Sequence, residues 1–307
     1  MVMPNFLVIG AAKAGTTALY SYLNQHPQVF MSPEKEPHFF AFEGEKVNFN
    51  GTAGAKEWLN RTAITDINIY QQQFREVSKE IAIGEASALY LYIPKAAIRI
   101  QYHIPKVKLI IILRNPVERA YSAFIFQKRD GLEPDFDFAQ ALKAEKSRIE
   151  NNWVPIYYYQ DMGFYYHQIK RYFDLFPQEQ IRVYLYDDFT ANPTQILQDA
   201  FRFLNVDDTF IPNTSTRHNV SGIPKSKALH EFLRAENHPV KTVLKPLIPK
   251  KIRRDVMLKL HNNNLEKAPP LAREIRQQLT DMYREDILKL QDLLQRDLSS
   301  WLVDKKG

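Results

Sequence analysis

The sequence contains no cysteine. Disulfides, thiolate metal sites and cysteine nucleophiles are thereby excluded, and the absence fits a cytoplasmic setting. No apolar run approaches the roughly 18 residues of a membrane-spanning helix. The first residues lack a basic stretch followed by an apolar one. Phe6-Leu-Val-Ile9 reads instead as a strand near the start, so no signal peptide is expected. Tight His/Asp clusters are missing as well, and no metal is expected. Acidic residues are scarce in one region. Between Arg217 and Lys259 three acids (Glu231, Glu236, Asp255) face eleven Lys/Arg, which supply much of the net +6 charge. Such a stretch suits an anionic cofactor, an anionic acceptor, nucleic acid or a membrane surface, or is simply a solvated face.

What is present is ordinary for a globular chain. Its 307 residues are 45% apolar and 25% charged, enough for one large domain with a filled core. Short β-rich runs alternate with helical patterns. Phe6–Ile9, Ile81–Gly84, Lys108–Leu113 and Ile181–Tyr186 read as strands, and the continuous apolar run at 108–113 predicts a strand buried on both faces. Helices are expected over Thr16–Asn24, from Asn115-Pro116 onward, over Phe164–Phe176 and from Asn192-Pro193 to Leu204. In the Asn115 start, Asn is the cap, Pro the first helical residue, and Glu118 the capping-box partner. Apolar steps of three and four from Leu271 to Trp301 predict one long amphipathic helix. Segments Glu43–Asp66 and Asp130–Gln160 read as irregular rim loops. The fold class is α/β: a central parallel β-sheet flanked by helices, P-loop-like, in a single domain. Its core is about 5–210, and a basic, helical extension follows at about 217–303.

Two motifs carry phosphate chemistry. After the first strand comes Gly10-Ala-Ala-Lys13-Ala14-Gly15-Thr16-Thr17 and then a helix. Small residues admit phosphate oxygens to backbone N–H groups, and the helix start adds donors and partial positive charge. The spacing departs from a Walker A loop, because the lysine precedes the last glycine instead of following it, and no Walker B aspartate is evident. The second motif, Arg114-Asn-Pro-Val-Glu-Arg-Ala-Tyr-Ser122, puts an arginine at the carboxyl end of a buried strand, where α/β sheets bind ligands. Arg114 and Ser122 suit one phosphate. Arg119 is open between phosphate binding and a structural ion pair. Two separate constellations imply a nucleotide whose phosphates lie far apart, on 5′ and 3′ positions; ATP needs no second site.

Together these segments closely resemble the 3′-phosphoadenosine 5′-phosphosulfate (PAPS)-dependent sulfotransferases, nearest to the heparan sulfate N- and 3-O-sulfotransferases and their bacterial relatives. The resemblance spans about 5–210, with Asp297-Leu-Ser-Ser-Trp301 also similar to bacterial members. It implies transfer of a sulfuryl group from PAPS to an acceptor hydroxyl or amine, releasing PAP without a metal. Lys13 to Thr17 resemble the 5′-phosphosulfate loop, with Lys13 stabilising the leaving oxygen. Arg114 to Ser122 resemble the 3′-phosphate motif. Lys35-Glu36-Pro-His38-Phe-Phe40 resembles the segment supplying the catalytic base. Glu36 is the candidate base, against a salt bridge to Lys35; His38 is an orienter or second base, against a core histidine. Gly84-Glu85-Ala-Ser-Ala88 resembles a substrate-side segment. Ala41 and the Glu85-Ala86 pair stand where the 3-O-enzymes carry Asp and a substrate-binding lysine, which argues against a heparan-like polyanion. Arg217 is the candidate 3′-phosphate clamp of the C-terminal region.

The expected partner is a carbohydrate, glycolipid or small-molecule acceptor. Trp58, Trp153 and Tyr157-Tyr-Tyr159 lie in segments suited to stacking on sugar or aromatic rings, against the commoner role of aromatic runs in the core. Nucleic acid is not expected, since no aromatic–basic interleaving of an RNA-binding motif is present. Residues 248–260 mix basic and apolar side chains in a way that suits peripheral membrane contact. A nucleotide kinase or NTPase and a basic anion-binding module are the rival readings.

Overall fold

The computed structural model describes residues 2–135, 137–215, 222–226, 229, 260, 263–264 and 265–303. Arg217 and the membrane-contact stretch, apart from Leu260, lie outside the described residues.

Five parallel strands form the main sheet: β1 (Phe6–Gly10), β2 (Val29–Met31), β3 (Ala82–Ala86), β4 (Lys108–Leu113) and β5 (Ile181–Leu185), in the order β2-β3-β1-β4-β5. Leu109 to Leu113 are wholly buried, as their unbroken apolar run requires of a strand covered on both faces. Helices cover the sheet: α1 (Thr16–Leu23), α2 (Phe39–Phe42), α3 (Ala53–Thr62), α4 (Ile67–Gln72), α5 (Pro94–His103), α6 (Pro116–Arg129), α7 (Phe138–Glu150), α8 (Tyr165–Leu175), α9 (Tyr186–Ala191) and α10 (Pro193–Leu204). The chain leaves β1 toward β2 and β3 on one side, then crosses to β4 and β5 on the other. The resulting crevice at the carboxyl ends of β1 and β4 is where such sheets bind ligands.

Local chemistry explains the turns. Gly15 precedes α1 at φ 99°, a left-handed angle that favours glycine, and a Cβ at Gly10 would stand 2.7 Å from Cβ of Leu91. Asn115 Oδ1 accepts from the N–H groups of Val117 (2.9 Å) and Glu118 (3.4 Å), capping α6. The Glu118 carboxylate does not complete a capping box; it pairs with Arg276 at 2.7 Å.

Beyond α10, a short antiparallel pair joins β6 (Ile223–Pro224) to β7 (Leu265–Glu266), and α11 (Arg273–Leu294) packs on α8 and α6. The Asp286 carboxylate accepts from the first N–H groups of α8, at 2.8 Å from Tyr165 and 3.2 Å from Tyr166. The expected helix to Trp301 is shorter than its periodicity suggests. It stops at Gln295, which turns left-handed, and a 3₁₀ turn at Ser299–Trp301 brings Trp301 against Tyr165.

Each of the two supposed rim loops contains a helix. Helix α3 buries only Ala55 and Leu59, too few positions to show a period. Helix α7 buries charged side chains: Arg148 pairs with Glu133 at 2.6 Å in the interior. A buried ion pair reads as surface in a hydropathy pattern.

Candidate active site

A cavity of about 1000 Å³ opens at the carboxyl ends of β1 and β4. Lys13, Gly15, Thr16 and Thr17 line it, and so do Arg114, Ser122, Glu36 and His38. Both phosphate motifs and the base segment therefore face one space. The motifs lie side by side, not far apart: an Arg114 Nη donates to the Lys13 carbonyl at 3.3 Å. Neighbouring parallel strands are about 4.8 Å apart, so loops leaving β1 and β4 must touch.

The backbone N–H groups of Gly15, Thr16 and Thr17 have no acceptor among the described residues, as a helix start leaves them. Ala14 differs from expectation. It is buried behind the loop, and its N–H is spent on the Ala11 carbonyl at 3.1 Å.

Lys13 is half-buried with its ammonium 3.7 Å from the centre of the Phe126 ring. Burial, then the charges of Arg129 and Arg114, lower its pKa to about 7, against the opposing pull of Asp130 and Glu36. Arg114 makes no ion pair among the described residues; it lies over the Tyr186 ring at 4.8 Å, and its carbonyl accepts from the Tyr165 hydroxyl at 3.0 Å. Arg119 is buried and donates to the carbonyls of Tyr158 and Tyr159. It serves the aromatic turn, does not line the cavity, and makes no ion pair among the described residues.

Glu36 combines both sequence readings: it faces the cavity and bonds Lys35 Nζ at 2.5 Å. Its other oxygen stands 3.7 Å from His38 Nε2. Burial opposes its charge, but Lys35, His38 and Lys13 together hold its pKa below the ordinary carboxylate value. His38 is fully buried beside Trp58 and Phe42, and burial lowers its pKa to about 4, so its ring is neutral at pH 7. Neither ring nitrogen has a hydrogen-bond partner among the described residues, unlike a satisfied core histidine.

Backbone conformation separates these residues from the rest. Six described non-glycine residues have positive φ: Lys13, Glu36, His38, Asn152, Asn205 and Gln295. The last three follow helix ends, where that conformation is routine. The first three are the candidate catalytic residues. Left-handed angles at non-glycine residues cost about 1–3 kcal/mol each and cluster where function demands a side-chain direction.

Of the aromatic candidates, Tyr157, Tyr158 and Tyr159 are buried in the core, whereas Trp58 is 45% exposed on the cavity wall. Phe126 was missed although it follows Ser122 by one helical turn, on the same face of α6. Tyr186 and Phe189, just past β5, also line the space and carried no motif.

A cleft at parallel strand ends, lined by two basic loops and a carboxylate, suits a group transferase. Residues 3–228 match the sulfotransferase domain, and the chain belongs to the sulfotransferase family. It is similar over 98% of its length to the crystal structure of a sulfotransferase from Alicyclobacillus acidocaldarius, at 32% identity, TM-score 0.77 and 99% coverage of that chain. It is 23% identical to the membrane-associated sulfotransferase kil1 of Dictyostelium discoideum, covering 76% of this chain and 62% of that one. It is 27% identical to the bifunctional heparan sulfate N-deacetylase/N-sulfotransferase 4 of Mus musculus, covering 98% of this chain and 31% of that one. The chain thus spans less than two thirds of these curated relatives. Family membership sets aside the kinase and anion-binding-module readings.

Proposed function

We propose that the protein transfers the sulfuryl group of PAPS to a hydroxyl or amine of a carbohydrate, glycolipid or other small acceptor, releasing PAP. The observation carrying this reading is the single cavity that Lys13, Arg114 and Glu36 share. The N–H groups of Gly15 to Thr17 and the two threonine hydroxyls hold the 5′-phosphate. Arg114 and Ser122 hold the 3′-phosphate. The acceptor oxygen or nitrogen attacks sulfur, its bond to sulfur forms, and the bond from sulfur to the bridging oxygen breaks. The acceptor's proton passes to Glu36; the electron pair stays on the leaving phosphate, where the Lys13 ammonium neutralises it. Beside Glu36, Trp58, Leu59, Leu132, Val154 and Ile156 line the cavity. This supports a neutral acceptor with a ring or other apolar face over a polyanion. A screen of sugars, glycolipids and phenols with PAP release as readout tests the reaction; no PAPS-dependent release with any acceptor overturns it.

Arg114→Ala is expected to weaken PAP by about tenfold to a hundredfold, since a charged hydrogen bond is worth about 1.5–3 kcal/mol. Adenosine 5′-phosphosulfate, which lacks the 3′-phosphate, should change by less than about threefold. Equal losses for both ligands in calorimetry refute the assignment.

PAP binding should also take up a proton at pH 8. Free Lys13, with a pKa of about 7, is then mostly neutral, whereas a phosphate beside it raises that pKa. The ligand's phosphates are already ionised, their second pKa being about 6. Affinity therefore falls as pH rises from 7 to 9. Binding enthalpies that are the same in buffers of different ionisation enthalpy at pH 8 contradict this.

A further inference from the structure

We infer that Glu85 is a positioning residue for the reaction: through the hydroxyls of Ser87 and Tyr90 it fixes the left-handed turn that aims Glu36 and His38 into the cavity. The inference rests on the proposed role of Glu36 for its catalytic consequence, but not for its geometry.

Glu85 is a fully buried carboxyl on β3 with no ion-pair partner among the described residues. Three hydroxyls converge on it. Ser87 Oγ donates to Oε2 at 2.9 Å and Tyr70 donates to Oε1 at 3.3 Å, while the Tyr90 hydroxyl lies near enough to favour the carboxyl's charged form. A serine hydroxyl has one proton. Spent on Glu85, it leaves only lone pairs for other partners, so Ser87 must act as acceptor elsewhere. It does: the His38 N–H donates to Ser87 Oγ at 3.1 Å. The Phe40 N–H likewise donates to the Tyr90 hydroxyl at 3.3 Å, and the Glu36 N–H donates to the Ala86 carbonyl at 2.9 Å. Alternate amides of the base segment, at 36, 38 and 40, are thus all held by the residues following Glu85.

This register opposes a conformational cost. Glu36 sits at φ 64° and His38 at φ 58°, with Pro37 between them. Such a turn persists only where the surroundings over-determine it. Remove the carboxyl, and the two hydroxyls regain free rotors that point a proton at an amide N–H as readily as a lone pair. Burying so polar a group without a cation is costly, which is the pattern of a group kept for what it orders. Burial, opposed by the hydroxyl bonds, raises the Glu85 pKa to about 7, consistent with a site of low polarity.

A general loosening of the sheet makes a different prediction. Glu85 pairs with Leu7 on β1, and β1 leads into the phosphate loop. Damage spreading through the strands must therefore weaken PAP as much as turnover. Positioning of the base turn lowers turnover alone.

The test compares Glu85→Leu, Glu85→Gln and Ser87→Ala by steady-state kinetics, PAP calorimetry and amide hydrogen exchange. Glu85→Leu should lower kcat by about tenfold or more while the PAP Kd stays within about threefold. The amides of Glu36, His38 and Phe40 should exchange at least about tenfold faster, with the 12–18 loop unchanged. Glu85→Gln, which keeps one acceptor oxygen, should recover part of both losses. Combined with Glu36→Gln, Glu85→Leu should add no further loss of turnover. If Glu85→Leu does not fold, Ser87→Ala, which keeps the carboxyl but removes both its bond to Ser87 and the acceptor of the His38 N–H, decides the matter by the same measurements. Wild-type exchange at His38 in the folded variant, or parallel losses in kcat and PAP affinity, overturns the inference. Faster exchange at 36–40 together with full turnover in Glu36→Gln leaves the positioning intact and rejects Glu36 as the base.

Discussion

Replacing Glu36 by glutamine should lower kcat by about 10²–10⁴, the usual worth of a positioned general base. The amide keeps the shape and the bond to Lys35 but has no oxygen basic enough to take a proton. PAP affinity should stay within about threefold, because the proposed phosphate ligands are the 13–17 loop and the Arg114 motif. Steady-state turnover and PAP calorimetry on one preparation separate these effects. Wild-type turnover removes Glu36 from the mechanism. The wild-type pH profile offers a second check. A carboxylate held below its ordinary pKa by Lys35, His38 and Lys13 is ionised through the neutral range, so its base form is lost only as pH falls into acid. His38, with a pKa of about 4, contributes no step near pH 6.5.

Lys13→Ala should lower kcat by about 10²–10³, comparable with removing one donor from a site that stabilises developing charge. PAP binding should weaken as well, since the same ammonium faces the product's 5′-phosphate. The proton uptake expected at pH 8 should vanish in this variant, which ties that signal to Lys13 alone. Both are read by calorimetry and by PAP release. A kcat within about threefold of wild type excludes Lys13 as the stabilising charge. The wild-type lysine is usable despite a pKa near 7 because a bound bisphosphate reverses the electrostatics that lower it. Burial, and after it Arg129 and Arg114, disfavour the proton, and the anionic charge of a bound bisphosphate would oppose them.

Much of the scaffold was legible because its elements bury apolar residues in simple order. Strand β4 is an unbroken run with polar ends, and its bounds match the sequence. The start of α6 was readable from Asn115-Pro116, a short-range signal complete within four residues. What stayed hidden was structure whose cause lies elsewhere in the chain. Helix α7 buries Arg148 against Glu133, and α3 touches the core at only two positions, so neither displays a period. Glu118 has the spacing of a capping-box partner but is drawn to Arg276, far along the chain. Strand β2 is three residues on a sheet edge, too short for any pattern.

The site divides in the same manner. Contiguous motifs showed which residues could grip phosphate, yet not that the two grips adjoin. That follows only from the sheet order, which sets β1 next to β4. Glu85 resembled a substrate-side residue, whereas the fold places it beneath the base segment with its carboxyl turned inward. A lone carboxylate in a short strand gives no local sign of burial, because its neighbours Tyr70, Ser87 and Tyr90 come from both sides of it in sequence.

The 3₁₀ turn at Ser299–Trp301 reaches back to the 3′-phosphate motif. The Trp301 carbonyl accepts from Asn115 Nδ2 at 3.3 Å, and its indole packs on Tyr165, whose hydroxyl bonds the Arg114 carbonyl. During synthesis, β1 and β4 leave the ribosome well before this buttress exists. A nascent chain therefore has both anion loops in hand while the backbone of one is still unsupported.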